Sequence, residues 1–162
     1  VKLVDRNYAS ATGYVNMLDL KNPTTQRAAM QAFFFGYQAS TAKADEMLAR
    51  RGLSRVHQRI VFFIAHYPGV SVKELLTLLG VSKQALNTPL RQLIEMDLVV
   101  SVVPPSDKRK RLLELTADGV RFEASLRREQ VKLLQRVFEH AGEEAVNGWL
   151  TINQALGQSR SS

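Results

Sequence analysis

The side chains best suited to chemistry in this chain are four polar residues on one short segment. They recur at helical spacing after Ser82 and are Gln84, Asn87, Thr88 and Arg91. Amide side chains pair with adenine, arginine forks onto guanine, and threonine contacts a base or a phosphate. Lys83, in the first turn, is better placed for a phosphate. The pattern predicts a helix face that reads base edges in duplex DNA, although an ordinary solvated helix face is also polar.

A basic segment follows shortly after this helix. It comes after Pro104 and Pro105 and holds one aspartate and four cations: Asp107, Lys108, Arg109, Lys110 and Arg111. Four adjacent charges cannot all be buried in a small hairpin, because an unpaired buried charge is strongly unfavourable. We therefore expect a protruding cationic tip that contacts a phosphate backbone.

Caps and glycines indicate how these groups are positioned. Ser71 is followed three residues later by Glu74, a spacing that lets each side chain satisfy a backbone N–H at the start of a helix. That helix ends at Gly80, which readily takes the left-handed conformation, and Ser82 caps the next helix. Because only Gly80 and Val81 separate the two helices, we expect the helices to cross sharply.

Two strand-like segments enclose the basic tip. Residues 98–103 are rich in β-branched side chains, and residues 112–115 return as the partner strand. The order of two crossing helices and a hairpin predicts a winged helix-turn-helix. The second helix also has an apolar side, which we expect in the core: Leu86, Leu90, Leu93 and Ile94.

Pro89 lies in the middle of the second helix. Proline lacks an N–H and clashes with the carbonyl four residues earlier, at a cost of about 3 kcal/mol or more in a regular helix. We expect a kink or loosening near Ala85 and Leu86. A base-contacting role is therefore better founded for Gln84 and Asn87 than for Arg91.

The segment from Gly52 to about Leu156 resembles the multiple-antibiotic-resistance regulator (MarR) family of bacterial transcription factors. Five pieces in the same order and spacing carry the resemblance: Gly52-Leu53-Ser54, Ser71 to Ser82, Leu93 with Asp97-Leu98-Val99, Asp107-Lys108-Arg109, and Leu115-Thr116-Ala117-Asp118-Gly119. The resemblance implies that the helix from Ser82 enters the major groove, that Arg109 enters the minor groove, and that Asp107 steadies the wing. The expected DNA contacts are Lys73, Ser82, Lys83, Gln84, Asn87, Thr88, Arg91, Asp107, Lys108, Arg109, Lys110 and Arg111.

The expected fold is mostly helical with a small β-hairpin wing. We divide the chain into an arm and dimerisation helix (residues 1–52), a winged helix-turn-helix core (53–118) and C-terminal dimerisation helices (119–162). The flanking helices carry more apolar surface than one core can cover, so we expect them to cover each other across a twofold axis. A helical cap on a monomer is the competing interpretation.

The overall composition is that of a compact regulator with an anionic partner. The chain has 162 residues, 45% of them hydrophobic, and a formal charge of +7. The charge alone would equally suit RNA, acidic proteins or a membrane surface. The absence of cysteine excludes disulfides, thiol-based sensing and cysteine-ligated zinc. There is no apolar run long enough to cross a membrane and no basic-then-apolar leader, so we expect a cytoplasmic protein.

No enzyme, metal or cofactor site is expected. His57, His66 and His140 lie on different segments without zinc-site spacing, and the glycines form no phosphate-binding loop. His57 lies three residues after the Ser54 cap. An exposed or locally hydrogen-bonded histidine is the favoured interpretation there, rather than a catalytic one.

A small-molecule site is a further implication of the resemblance. In this family, aromatic or amphipathic effectors often bind between the dimerisation helices and the winged core. Phe33, Tyr37, His57 and Phe62 could line such a pocket, with Arg59 as an anion partner. Ordinary core or surface packing explains aromatic residues at helical spacing equally well.

The sequence thus predicts a homodimeric MarR-like regulator of palindromic double-stranded DNA, modulated by a small effector. The alternative is a winged-helix module that docks a protein. Such a module would show little salt dependence and would tolerate the loss of charge at Lys108, Arg109 and Lys110.

Overall fold

A computed structural model of the chain describes residues 20–105, 107 and 110–159. In these ranges the helices are α1 Pro23–Ala49, α2 Arg55–His66, α3 Val72–Leu79, α4 Lys83–Glu95, α5 Ala117–Ala141 and α6 Glu143–Gln158, and the strands are β1 Val70–Ser71, β2 Val99–Val102 and β3 Leu112–Leu115. The predicted fold class, mostly helical with a small β wing, is confirmed. No helix in the described ranges combines the length and the apolar character needed to cross a lipid bilayer.

The chain divides into two compact units, residues 1–39 and 40–162. In the first unit, Asn22 begins α1 by accepting a hydrogen bond from the backbone N–H of Thr24 through its side-chain oxygen at 2.8 Å. Several large apolar side chains in the described part of this unit are exposed: Leu20, Met30, Phe33, Phe34, Phe35 and Tyr37. The division into residues 1–52, 53–118 and 119–162 stays a prediction.

The second unit contains the winged core. Its buried apolar side chains come from the last turns of α1 and from every later element up to the first turns of α5. They form one cluster: Ala44, Leu48, Leu53, Ile60, Val61, Ile64, Val70, Leu75, Leu79, Leu86, Leu90, Leu93, Leu98, Val99, Leu113, Phe122 and Leu126. Leu86, Leu90 and Leu93 are buried as expected. The expectation for Ile94 is wrong, because 40% of this residue is exposed.

The helix caps are formed as the sequence predicts. The Ser71 hydroxyl accepts from the backbone N–H of Glu74 at 3.2 Å, and the Glu74 carboxylate accepts from the backbone N–H of Ser71 at 2.8 Å. Gly80 ends α3 in the left-handed conformation, at φ 63° and ψ 37°. Ser82 then caps α4 by accepting from the Ala85 N–H at 3.2 Å. These contacts fix the short link between α3 and α4.

The sheet has three antiparallel strands in the order β1-β3-β2. The hairpin pairs Val102 with Leu112, and Val70 of β1 pairs with Leu113. Two strands were predicted from the sequence, and β1 was missed because two residues are too short to show an alternating pattern. Its pairing attaches the wing to the start of α3.

The end of α4 and the start of α5 are joined at one point, which we term the 97–119 junction (residues 97, 98, 116 and 119). Asp97 has a positive φ of 54°, and its carbonyl accepts from the Thr116 hydroxyl at 2.6 Å. The Thr116 backbone N–H donates to the Leu98 carbonyl at 3.2 Å. The Thr116 hydroxyl also caps α5 by accepting from the Gly119 N–H at 3.0 Å.

We expect Gly119→Ala to destabilise the protein by about 3 kcal/mol, near the upper end for a group forced into filled space. An added Cβ would lie 1.9 Å from the Leu98 carbonyl oxygen, so the backbone at the 97–119 junction would have to shift. Urea unfolding measures the effect. Arg121→Ala, at a neighbouring exposed position, serves as control and should change stability by no more than about 1 kcal/mol. Equal stabilities of the two variants would contradict this close approach.

The C-terminal helices leave apolar surface uncovered within the second unit. Phe138 of α5 contacts Trp149 of α6, with ring centroids 5.3 Å apart. No residue of α6 is buried. The exposed large apolar side chains of the two helices are Val120, Val131, Val137, Trp149, Leu150, Ile152 and Leu156.

Candidate nucleic-acid interface

Helix α4 separates an apolar face from a polar one. Leu86, Leu90 and Leu93 pack into the core, and this orientation turns the opposite side of the helix towards solvent. The four residues predicted to read bases and the predicted phosphate contact Lys83 all lie exposed on α4; the four are Gln84, Asn87, Thr88 and Arg91. Among the described residues, no protein group hydrogen-bonds to the side chains of Gln84, Asn87 or Thr88. Their donors and acceptors therefore remain available to a ligand.

Two predicted contacts at the edges of this face already have partners. The Ser82 hydroxyl is used as an acceptor for the cap of α4, but its hydrogen can still be donated to a phosphate. Arg91 lies 3.6 Å from the carboxylate of Glu95, and both side chains are largely exposed. An exposed pair of this kind contributes only about 0–1 kcal/mol, so it does not prevent Arg91 from contacting DNA.

Pro89 lies within α4, which runs from Lys83 to Glu95 as a single helix. The backbone N–H of Leu86 donates to the Ser82 carbonyl at 3.1 Å, so the first turn is formed. Proline has no N–H to give to the Ala85 carbonyl. With one backbone hydrogen bond fewer, the position of the C-terminal half of α4 depends more on side-chain contacts.

The described part of the basic tip, which is Asp107, Lys110 and Arg111, lies between β2 and β3. Lys110 and Arg111 are exposed just before β3. The backbone N–H of Asp107 donates to the Pro104 carbonyl at 3.2 Å, and the Asp107 carbonyl accepts from the backbone N–H of Lys110 at 3.1 Å. The predicted roles of Lys108 and Arg109 fall on residues outside the described ranges, so they stay predictions.

Charged residues also lie at the start of α3, next to the wing. Lys73 is exposed there. Hydrogen bonds from the Ser71 side chain and backbone hold the pKa of Glu74 below its usual value, and the positive charge of Lys110 lowers this pKa further. Glu74 therefore remains ionised at neutral pH and offsets part of the positive charge of the tip.

The residues predicted to line an effector pocket are not equivalent in the structure. Phe33 and Tyr37 belong to the first unit and are exposed. On α2, Arg59 and Phe62 are exposed, whereas His57 is buried. The expectation of an exposed or locally hydrogen-bonded histidine is confirmed in its second form, by the hydrogen bond from Ser54, and the side chain itself is buried.

An open groove of about 740 Å³ lies between the end of α2 and α3. It is lined by residues 67–71, 73, 74, 77 and 78, so it contains none of the five residues predicted to bind an effector. Across the described ranges, no three His, Cys, Asp or Glu side chains are grouped closely enough to hold a metal ion.

Two contacts at this site were missed by sequence reasoning. One is the hydrogen bond between His57 and Gln92, which joins α2 to α4. The other is the 97–119 junction. The Thr116 cap gave a signal for the start of α5, but nothing in the local sequence indicates which distant carbonyl its hydroxyl contacts.

Comparisons with known proteins agree with this arrangement. A model described as the MarR family matches residues 51–110. The chain is 38% identical over 130 residues to the HTH-type transcriptional regulator PetP of Rhodobacter capsulatus. The aligned segment covers 80% of this chain and 78% of PetP.

Solved structures share the fold at low sequence identity. A mutant of MepR from S. aureus bound to an oligodeoxyribonucleotide aligns with a TM-score of 0.58 and 18% identity, covering 83% of this chain and 98% of that one. MarR from Staphylococcus aureus in complex with salicylate and kanamycin aligns with a TM-score of 0.66 and 21% identity, covering 85% and 96%.

Proposed function

This chain belongs to the MarR family of transcriptional regulators, and we propose that it acts as a homodimer that reads a palindromic DNA operator. The observation that carries the proposal is the exposed face of α4, where Gln84, Asn87 and Thr88 have no protein partner in the described ranges. Amide and hydroxyl groups aligned on one helix face match the donors and acceptors of base edges in the major groove.

The wing supports the same proposal. Lys110 and Arg111 are exposed at the hairpin end, and Lys73 is exposed at the start of α3. Cations on both elements would contact phosphates on either side of the groove that holds α4. Each phosphate that is neutralised releases counterions, so affinity should fall steeply with salt. The DNA-bound MepR structure shares this fold.

The homodimer is supported by the uncovered apolar surface of α5 and α6. Large apolar patches on a folded chain mark interaction surfaces, and symmetric dimers are the commonest way to cover them. Two recognition helices about 34 Å apart would read half-sites separated by one helical turn. This geometry explains why a palindrome is the expected operator.

Selection from a random duplex library, followed by titration of the enriched sequence at several salt concentrations, tests the proposed function. We expect a palindromic sequence to be enriched and its affinity to fall linearly on a log–log plot against salt. A winged-helix module that docks a protein would enrich no sequence and would show little salt dependence. Either of those results would overturn the proposal.

Ile152→Glu should convert the dimer into a monomer. Ile152 is 62% exposed on α6, and a carboxylate there would have to be desolvated when the partner covers it. Light scattering should give twice the 18.2 kDa chain mass for the parent and a single chain mass for the variant. Gln154→Glu, about 200° away around the helix, is the control and should stay dimeric. A dimeric Ile152→Glu variant would place the contact elsewhere.

A small aromatic or amphipathic effector is the last part of the proposal. The salicylate complex of MarR from Staphylococcus aureus has the same fold. On the second unit, Arg59 and Phe62 are exposed and could contact an anionic aromatic molecule. The roles of Phe33, Tyr37 and His57 in such a site stay predictions, and titration of salicylate into the DNA complex tests whether an effector releases the operator.

A further inference from the structure

His57 is a buried polar side chain whose two ring nitrogens are both used. It is 5% exposed, in the first turn of α2. Its Nδ1 accepts a hydrogen bond from the backbone N–H of Ser54 at 3.0 Å. Its Nε2 lies 2.8 Å from the side-chain oxygen of Gln92 on α4. One imidazole thus completes the cap of α2 and reaches the recognition helix.

The two partners determine where the imidazole proton lies. A backbone N–H can only donate, so Nδ1 must carry a lone pair. The proton is therefore on Nε2, where it is donated to the Gln92 oxygen. The bond from Ser54 requires the neutral ring, because a protonated ring has no acceptor at Nδ1, whereas Nε2–H can donate to Gln92 in either state.

Gln92 lies in the half of α4 that follows Pro89. In that half the helix lacks the backbone hydrogen bond that Pro89 would otherwise donate. Leu90 and Leu93 pack the same half into the core. Apolar packing is not directional, so it restricts the rotation and sliding of this half of α4 less than a buried hydrogen bond with defined geometry does. The bond to His57 supplies that geometry.

The turn that contains His57 also contacts α5 and the part of α1 that belongs to the second unit. Arg55 makes a two-pronged contact with Asp45 of α1, at 2.8 Å and 2.6 Å. The Gln58 amide donates to Gln130 of α5 at 3.0 Å. Three residues within one turn of α2 therefore connect α1, α4 and α5.

From this placement we infer that His57 is a positioning residue, whose hydrogen bond to Gln92 sets the orientation of the recognition helix relative to α1 and α5. The inference rests on the proposed function, since α5 carries part of the proposed dimer surface. Because this hydrogen bond fixes the orientation of α4 in each subunit, it sets the separation and the angle between the two recognition helices of the dimer. The DNA property that it controls is the preferred spacing of the half-sites.

Three variants distinguish the effect of the hydrogen bond between His57 and Gln92, which we call the link, from the effect of the cap of α2. In His57→Asn, the amide oxygen takes the place of Nδ1 and can still cap α2, but the side chain is too short to reach Gln92. Gln92→Leu removes the other partner. In His57→Gln, the longer amide reaches the Nε2 position and can also accept from Ser54, as a glutamine does in a capping box.

The measurement is affinity for a series of duplexes that differ by one base pair in half-site spacing. We expect the parent to prefer one spacing by about tenfold. His57→Asn and Gln92→Leu should bind all spacings nearly equally, and His57→Gln should restore the preference. Val70→Ala, at a buried core position on β1 and outside α2 and α4, should weaken binding to all duplexes by the same factor and keep the spacing preference.

Nitrogen NMR of the imidazole gives a second readout that needs no DNA. The parent should show the Nε2–H tautomer for His57, and the Nε2 proton should exchange with water faster in Gln92→Leu. An Nδ1–H tautomer would overturn the inference, as would an unchanged spacing preference in His57→Asn or a failure of His57→Gln to restore it. If the parent binds no duplex, the proposed function fails, and the NMR result then reports separately whether the link exists.

Discussion

Replacing both Gln84 and Asn87 with alanine is expected to lower affinity for the selected operator by about 10- to 100-fold per residue. Affinity for random duplex should change little, because base contacts carry sequence information while phosphate contacts carry most of the non-specific affinity. Both side chains are exposed and have no protein partner in the described ranges. Their removal should not weaken the fold, and alanine is a better helix former than either residue.

Lys83→Ala is the matched control on the same helix. Lys83 is exposed in the first turn of α4 and is expected to contact a phosphate. Its loss should weaken binding to the operator and to random duplex by a similar factor. It should also reduce the slope of log affinity against log salt concentration by about one. If the Gln84/Asn87 double variant lost affinity for both kinds of duplex equally, base reading by this face would be contradicted.

Arg109→Ala is expected to weaken operator binding by about tenfold and to relax the preference for A/T-rich flanking sequence. A narrow minor groove has an enhanced negative potential that favours an inserted arginine, so this residue should read groove shape more than individual bases. The two hairpin arms that carry the tip are paired from Val102 and Leu112 inward. Competition between duplexes that differ only in the flanks measures the effect.

Arg136→Ala removes the same charge from an exposed position on α5. It should leave the flank preference unchanged, since α5 begins at the base of the hairpin and carries Arg136 roughly 30 Å along the helix from that point. If Arg109→Ala bound all flanks like the parent at moderate salt, the assignment of Arg109 to the minor groove would be wrong.

The parts of the fold that the sequence predicted are those controlled by neighbouring residues. Ser71 with Glu74, Gly80, and Ser82 each satisfy a helix end a few positions away, so the cap is visible in the sequence itself. Helical spacing likewise predicted the burial of Leu86, Leu90 and Leu93. The exposure of the polar face of α4 followed from the same periodicity, since the side opposite the leucines must be solvated.

The features that sequence reasoning missed depend on contacts between distant segments. His57 was expected to be exposed or locally bonded, because the residue 35 positions away that receives its second hydrogen bond cannot be identified from local pattern. Helical spacing places Ile94 on the same side of α4 as the leucines, yet no core residue covers it and 40% of it is exposed. β1 exists only because β3 provides a partner.

The 97–119 junction has a consequence for how this regulator can vary. Because Thr116 bonds directly to Asp97 and Leu98, the two segments that flank the hairpin are fastened at its base. Lengthening or replacing the tip beyond Val102 would therefore disturb neither α4 nor α5. We therefore expect that the tip can be replaced by the tip of a relative, and that the new tip would bring its own flanking preference to an otherwise unaltered protein.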